Sequence, residues 1–210
     1  MPKRIACLLG VALTIGCGAE DLSIRGNLDA DDDCAFSADE GRILSESTYD
    51  IAEDAGSGSE ACLEPYLAHL LVDNPNADTV NVESAEVTLT TLQRQIIFFD
   101  RQAQILPNPF LASVASSIDG SRGVVSFELV PQAYSRQLDN FVDQQLIARI
   151  KLFGAVDGSE LESNDFSLPL SICDGCRTAC LDDNQLDERD TRCSSLSLGA
   201  DRLFCLDPEC

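Results

Sequence analysis

The 210-residue sequence has no tryptophan, one histidine and three tyrosines. Any Ser–His–Asp triad would have to use His69, and that residue sits in the apolar run Y-L-A-H-L-L-V, which is typical of a buried strand. The shortage of aromatic rings also leaves little material for a surface on which sugars stack. These absences weigh against a serine hydrolase and a carbohydrate-binding protein.

Motifs for nucleotide, haem and hydrolytic chemistry are missing as well. The sequence contains no G-x-S-x-G, and no phosphate-binding loop surrounds Lys151. Haem attachment through C-D-G-C at 173–176 would require histidine next, but Arg177 follows. With 36 acidic residues, chance pairs of carboxylates carry no information about glycoside chemistry. The sequence therefore predicts a non-catalytic protein without a cofactor.

Basic residues are scarce. The chain has 14 Lys and Arg against 36 Asp and Glu, a net charge of −22. Nucleic acids and anionic headgroups would repel such a surface, so we expect no nucleic-acid partner. An acidic surplus is typical of an exported protein that must stay soluble.

The amino terminus has no apolar run of the roughly 20 residues that a membrane span needs. Instead, Lys3 and Arg4 precede a short uncharged run at 5–16, the pattern of an export signal. The following T-I-G-C resembles a bacterial lipoprotein box, although Thr14 stands where that family usually has leucine. The resemblance implies cleavage after residue 16 and lipid, such as palmitate, on Cys17. The alternative is an ordinary signal peptide that is cut nearby.

If that resemblance holds, the mature chain is anchored in the cell envelope, at the outer membrane or cell surface, without a spanning helix. Loss of Lys3 and Arg4 leaves 12 basic against 36 acidic residues, a net charge of −24. We predict an acidic tether at 17–39, a β-domain at 40–172 and a cysteine-rich tail at 173–210.

Ten cysteines are present, of which Cys7 leaves with the signal and Cys17 is assigned to lipid. An even set in an exported chain indicates a disulfide framework. Its eight predicted members are Cys34, Cys62, Cys173, Cys176, Cys180, Cys193, Cys205 and Cys210. We expect Cys34 to pair with Cys62 and the other six to pair among themselves in one of 15 arrangements.

Two other kinds of chemistry use the same cysteines. A thiol–disulfide oxidoreductase would act through Cys173 and Cys176, but the βαβ pattern around such a pair is missing. Four of the six carboxy-terminal thiolates are enough to bind zinc, although their spacings do not form two clean pairs. Structural disulfides are the favoured interpretation.

Period-two patterns predict strands throughout the β-domain. The parity of the apolar positions changes between Val82 and Ala85, which predicts a β-bulge around Glu83–Ser84. Asp157–Gly158 predicts a hairpin turn between strands at 146–156 and 160–172, the first with Leu146, Ala148, Ile150 and Leu152 facing inward. One strand is expected at 43–51, with Ile43, Tyr49 and Ile51 on its inward face, and one helix at 132–144, with Leu138, Phe141 and Val142 as its apolar stripe. Together these elements predict an all-β, antiparallel, Ig-like β-sandwich with one short helix, and an eight-stranded barrel is the alternative.

Two family resemblances bear on this architecture. The segment L-V-D-N-P-N-A-D-T-V at 71–80 resembles the N-P-N region of late-embryogenesis-abundant, water-stress-type sandwiches, which implies the fold only. The whole layout resembles uncharacterised myxobacterial-type envelope lipoproteins. That second resemblance implies a location and no activity. We expect the protein to present a surface or to bind another protein of the envelope.

Residues 29–40 also align with a calcium-binding loop, so a calcium-binding envelope protein is a further alternative. Asp29, Asp31 and Asp33 occupy the first three ligand positions and Glu40 the twelfth. Cys34 stands where the loop needs glycine, and acidic linkers match such patterns by chance. We therefore predict no metal site here.

Overall fold

The structure is a computed structural model that describes residues 20–31, 35–39, 41–51, 65–97, 99–101, 104–135 and 137–174. Strands dominate these residues. The strands are β1 (Ser23–Leu28), β2 (Ile43–Leu44), β3 (Ser47–Asp50), β4 (Tyr66–Asp73), β5 (Val80–Thr91), β6 (Phe99–Arg101), β7 (Gln104–Leu106), β8 (Phe110–Ile118), β9 (Arg122–Val130), β10 (Gln145–Val156), β11 (Ser159–Glu162) and β12 (Phe166–Cys173). The predicted all-β class is confirmed.

Two main sheets and a small ribbon contain these strands. The first sheet has four strands in the order β2-β1-β4-β9, and the second has six in the order β3-β12-β10-β5-β8, with β11 also paired to β10. β6 and β7 form a separate two-stranded ribbon. The pairs are antiparallel except β12 with β3, which is parallel, so the second sheet is mixed rather than purely antiparallel as predicted.

Apolar side chains from both main sheets pack in one hydrophobic core. On β5 and β10 the predicted inward residues are all buried: Val80, Val82, Ala85, Val87, Leu89, Leu146, Ala148, Ile150 and Leu152. Because alternate side chains of a strand point to opposite faces, the sequence alone places these residues correctly.

The predicted β-bulge is confirmed. Between Val82 and Ser84 the pairing of β5 with β8 shifts in register. At the same place the pairing of β5 with β10 also shifts, because Gly154 lies opposite Val82 and Phe153 lies opposite Ser84. The extra residue keeps apolar positions on the core side before and after the bulge. Gly154 lies so close to β5 that an added Cβ would stand 2.4 Å from the Asn81 carbonyl oxygen.

The predicted hairpin at Asp157–Gly158 is also confirmed, with φ of 48° and 78° at the two turn residues. Positive φ at both positions is the conformation of a tight hairpin turn. The strand expected at 160–172 is split into β11 and β12. The break is at residues 163–165: the Ser163 N–H still donates to the Leu152 carbonyl oxygen of β10, but the Asn164 N–H donates to Leu22 of the amino-terminal segment.

Part of the predicted tether is wrong, because residues 23–28 form β1 and pair with β2 and β4. Leu22, Ile24 and Leu28 are buried in the domain. These residues follow a period of two, but Gly26 interrupts the apolar positions and acidic residues flank the segment. The pattern was therefore not recognised as a strand.

The single strand expected at 43–51 is two strands in different sheets. β2 pairs with β1, whereas β3 pairs with β12. Ile43, predicted to face inward with Tyr49 and Ile51, is 49% exposed, while the other two are buried. The Ile43 side chain lies across Gly26, where an added Cβ would clash at 2.4 Å.

The helix expected at 132–144 is much shorter. Only α1 (Gln132–Ser135) is α-helical, and a 3₁₀ helix follows at Leu138–Phe141. The chain then leaves the helix because the Asp143 N–H donates to the Ile172 carbonyl oxygen and the Ile172 N–H donates to Gln144. As predicted, Leu138 is buried, and Phe141 and Val142 pack against the core.

Within the residues that the structure describes, no helix has both the length and the apolar character needed to cross a membrane.

Candidate functional site: the Asn74 end of the domain

The strands place distinct groups at the two ends of the domain. At one end, which we call the Asn74 end, lie the loop at 74–79 and the turns at 119–121 and 157–158. β5 begins there at Val80, beside Ile118, and finishes at Thr91, beside Leu146. The opposite end is called the Cys173 end, because β12 ends there.

Asn74 organises its end of the domain from a buried position, with 2% of its surface exposed. Its side-chain Nδ2 donates to the carbonyl oxygens of Asp78 at 3.0 Å and Gly120 at 3.1 Å. Its Oδ1 accepts from the Asn76 backbone N–H at 2.9 Å, and its own N–H donates to Ser121. One side chain thus ties the loop to the β8–β9 turn.

Asn76 extends this network to the amino-terminal segment. Its Oδ1 accepts from the Glu20 N–H at 2.9 Å, and its Nδ2 donates to the Glu20 carbonyl oxygen at 2.9 Å. No sequence pattern predicted this contact, because residues 56 positions apart carry no local signal of pairing.

The next residues are built into the fold by backbone bonds. The Leu22 N–H donates to the Glu162 carbonyl oxygen at 2.9 Å, and Asn164 donates to Leu22. The Ile24 N–H donates to the Asn164 Oδ1 at 2.7 Å. Since Leu22 is only 1% exposed, this residue already belongs to the folded domain.

An ion network borders an open cleft of about 490 Å³ at the same end. The Arg25 Nε donates to one Asp73 carboxylate oxygen at 2.5 Å and the Arg122 Nε to the other at 2.8 Å. The hydrogen bond from Arg122 lowers the pKa of Asp73 below its ordinary value against the opposing effect of burial, and Arg25 lowers the pKa further. These bonds hold together the starts of β1 and β9 and the end of β4.

The polar groups of this cleft are mostly carboxylates and guanidinium groups. Glu20 and Asp21 also line it, so three carboxylates accompany two guanidinium groups. Ser23 and Ser121 supply hydroxyls, but the lining has no imidazole that would act as their base. The arrangement fixes the amino-terminal segment against the β4–β9 end.

His69 lies elsewhere, on β4. Its Nδ1 is 2.7 Å from the Ser126 Oγ, and the two residues are direct cross-strand neighbours. The Phe36 ring stacks on the imidazole with 3.5 Å between centroids. The His69 backbone N–H donates to the buried Asn27 Oδ1 at 2.9 Å. The Ser–His pair was not predicted, and the ring is covered, as expected for a residue that packs in the sheet.

The calcium-loop residues are only partly described. Asp29 forms an ion pair with Arg42, and the Asp31 carboxylate accepts from the Ala35 N–H at 2.8 Å. Asp33 and Glu40 lie outside the described residues. Among the residues that the structure covers, no group of three or more His, Cys, Asp or Glu is placed to hold a metal ion.

Of the predicted lipidation and disulfide residues, only Cys173 is described, half-buried at the end of β12. The predicted pairing therefore stays a prediction. The residues outside the described ranges are Cys17, Cys34, Cys62, Cys176, Cys180, Cys193, Cys205 and Cys210.

Lys151 is the one lysine in the described part of the chain, on the outer face of β10. Its Nζ forms an ion pair with Glu162, and that hydrogen bond raises the pKa of the lysine. The ammonium also lies 5.7 Å from the centre of the Phe153 ring. The positive charge of Lys151 therefore forms an ion pair between β10 and β11.

Comparisons with known proteins identify no relative. A scan of the sequence against models of known protein families found no match, and a search of curated proteins found no similar sequence.

Proposed function

We propose that this protein is a lipid-anchored component of the cell envelope, whose non-catalytic β-domain is displayed at the outer membrane or cell surface. The observation that carries the proposal is a contact of the domain close to the predicted lipid site. Glu20 is bonded to Asn76 only three residues after Cys17, the predicted site of lipid. A removable signal followed directly by a folded domain is the layout of an exported, anchored protein.

The domain itself is proposed to be an Ig-like β-sandwich with a disulfide-stapled tail. Support for the sandwich comes from the two main sheets, whose inward side chains share one core. Support for the tail comes from the six carboxy-terminal cysteines in a segment with few apolar residues.

Support for a non-catalytic role comes from how the described polar groups are used. Asn27, Asn74 and Asp73 each bond to neighbouring backbone or side chains that position strands. The Ser126–His69 pair spans two adjacent strands under Phe36. Each of these arrangements has a structural purpose.

Support for protein binding comes from β8, an edge strand in the described part of the six-stranded sheet. Its nine residues carry no charge, and Leu111 is 68% exposed. Natural edge strands are commonly protected by charges or proline, and an uncharged edge can accept an added strand. We propose an extended, basic segment of an envelope protein as the partner, because Glu86 lies directly opposite Leu111.

Site-specific photocrosslinking in the envelope tests this partner surface. A photoreactive residue at Ser113, exposed on β8, should yield protein crosslinks, whereas one at Ser159, exposed on β11, should not. Equal crosslinking from both positions, or none from Ser113, contradicts binding at β8.

The anchoring proposal is tested by cell fractionation with acyl-chain labelling. The wild-type protein should be labelled and sediment with membranes, and Cys17→Ser should release it unlabelled. Thr14→Leu restores the usual lipoprotein pattern and is the matched control that should stay anchored. A wild-type protein that is soluble and unlabelled overturns the proposal.

A further inference from the structure

We infer that the domain stands end-on at the membrane, with the Asn74 end against the lipid headgroups and the Cys173 end pointing away. This inference rests on the proposed lipidation of Cys17. In place of the expected acidic tether at 17–39, a short segment after Cys17 attaches the domain at its Asn74 end.

The first argument is the length of free chain. Only Gly18 and Ala19 separate Cys17 from Glu20, whose backbone is bonded on both sides to Asn76. Extended chain covers at most about 3.6 Å per residue, so Glu20 lies within ~11 Å of the lipid-bearing residue. If the Asn76 bonds opened, the buried Leu22 would still limit that reach to ~18 Å.

The second argument is the length of the domain along its strands. β5 connects the two ends through twelve residues, from Val80 to Thr91. At about 3.3 Å per residue this is ~35–40 Å, more than three times the ~11 Å reach to Glu20 and about twice the ~18 Å reach to Leu22. The chain is therefore too short to let the domain turn over and bring its Cys173 end to the membrane while Glu20 stays attached.

The third argument concerns tilting. The mature chain carries a net charge of −24, so anionic headgroups repel its flanks and favour the orientation with the smallest contact. At the Asn74 end, Arg25 and Arg122 are 55% and 44% exposed beside the cleft and are the cations placed to meet headgroup phosphates. Acidic residues outnumber them there, so attachment depends on the lipid and not on electrostatic attraction.

One consequence is the placement of the tail. Leu170 of β12 pairs with Leu146, which pairs with Thr91, and β12 continues to Cys173, so the cysteine-rich segment begins at the membrane-distal end. Two exposed apolar side chains, Leu92 and Ile96, lie at that same end. The Cys173 end is therefore the end of the domain that lies farther from the membrane.

The absence of tryptophan makes this orientation measurable. Single tryptophans at the exposed positions Ala77 (Asn74 end) and Leu92 (Cys173 end) give two reporters in a silent background. The full-length lipidated variants are reconstituted into vesicles of phosphatidylcholine and anionic phosphatidylglycerol, with and without a headgroup-spin-labelled lipid. Spin labels quench only nearby fluorophores, so A77W should lose fluorescence and L92W should not.

Second reporters at Ser121 and Gln93, exposed at the two ends, keep the test informative if one variant fails to fold. Equal quenching at both ends means that the domain lies on its side, and stronger quenching at Leu92 means that it is inverted. Either result overturns the inference. Acyl content is measured on the same samples. Absence of lipid overturns the proposed function together with the inference, whereas lipidated protein with the wrong quenching pattern overturns the inference alone.

Discussion

The Asn76 side chain forms two hydrogen bonds with the backbone of Glu20, one to its N–H and one from its amide to the carbonyl oxygen, both at 2.9 Å. The Asn76 side-chain amide thus forms with the Glu20 backbone the two hydrogen bonds that a neighbouring β-strand would otherwise form. Because Glu20 is close to the predicted lipid site, the contact determines how far the domain can move from its anchor.

Asn76→Ala should loosen the amino-terminal segment without unfolding the domain. The bonds are solvent-accessible, so we expect a loss of about 1 kcal/mol in the free energy of unfolding, in the range of ordinary hydrogen bonds. Hydrogen exchange at Glu20 should accelerate. Asn81→Ala, which removes one exposed side-chain bond to Ser117, is the control, and unchanged exchange at Glu20 in N76A contradicts the prediction.

Asn27→Leu should be much more damaging. Asn27 is 1% exposed, accepts from the His69 N–H and donates to Ser47 and Tyr66. Its removal leaves buried polar groups without these bonds, at about 1–3 kcal/mol for each unsatisfied group. Chemical denaturation should show a loss of at least ~2 kcal/mol. The exposed Asn140 should tolerate the same substitution, and equal effects at the two positions would disprove this account.

Asp73 should make stability depend on acid pH. Arg122 and Arg25 lower the pKa of this carboxylate in the folded state below its ordinary value of 3.8. Its contribution is therefore complete above 3.8 and is lost as the pH falls through the lowered folded-state pKa. Melting temperatures of wild type and Asp73→Asn should differ at neutral pH and converge in strong acid. A constant difference across that range rules out the ionised carboxylate as the cause.

Gly154→Ala tests the close approach at the bulge. The new Cβ would stand 2.4 Å from the Asn81 carbonyl oxygen, a backbone atom that cannot rotate away. Overpacking of this kind typically costs about 1–3 kcal/mol, and thermal unfolding should show it. At Gly123 an added Cβ meets only Ile118 side-chain atoms at 3.0 Å or more, so G123A should cost less. The reverse order contradicts the structural explanation.

Local patterns predicted the parts of the fold that local forces determine. The parity change at Val82 and Ala85 located the bulge, and Asp157–Gly158 located the turn, because both depend on neighbouring residues. The separation of 43–51 into two sheets could not be predicted this way, since it depends on Ile43 packing over Gly26 and β3 pairing with β12.

The same limit applies to the candidate site. The chain separates Glu20 from Asn76 by 56 positions, and it separates Arg25 and Asp73 by 48. Such contacts appear only once the strands are assembled. The proposed lipid signal is different, because T-I-G-C is contiguous and its recognition does not depend on folding.

The mass of the amino-terminal peptide of the mature protein tests the central claim most directly. Protein purified from membranes with detergent should begin at Cys17, and this residue should carry the added mass of a diacylglyceryl group, with or without a further acyl chain. A mature chain that begins at another residue, or an unmodified Cys17, would contradict lipid anchoring and with it the end-on orientation.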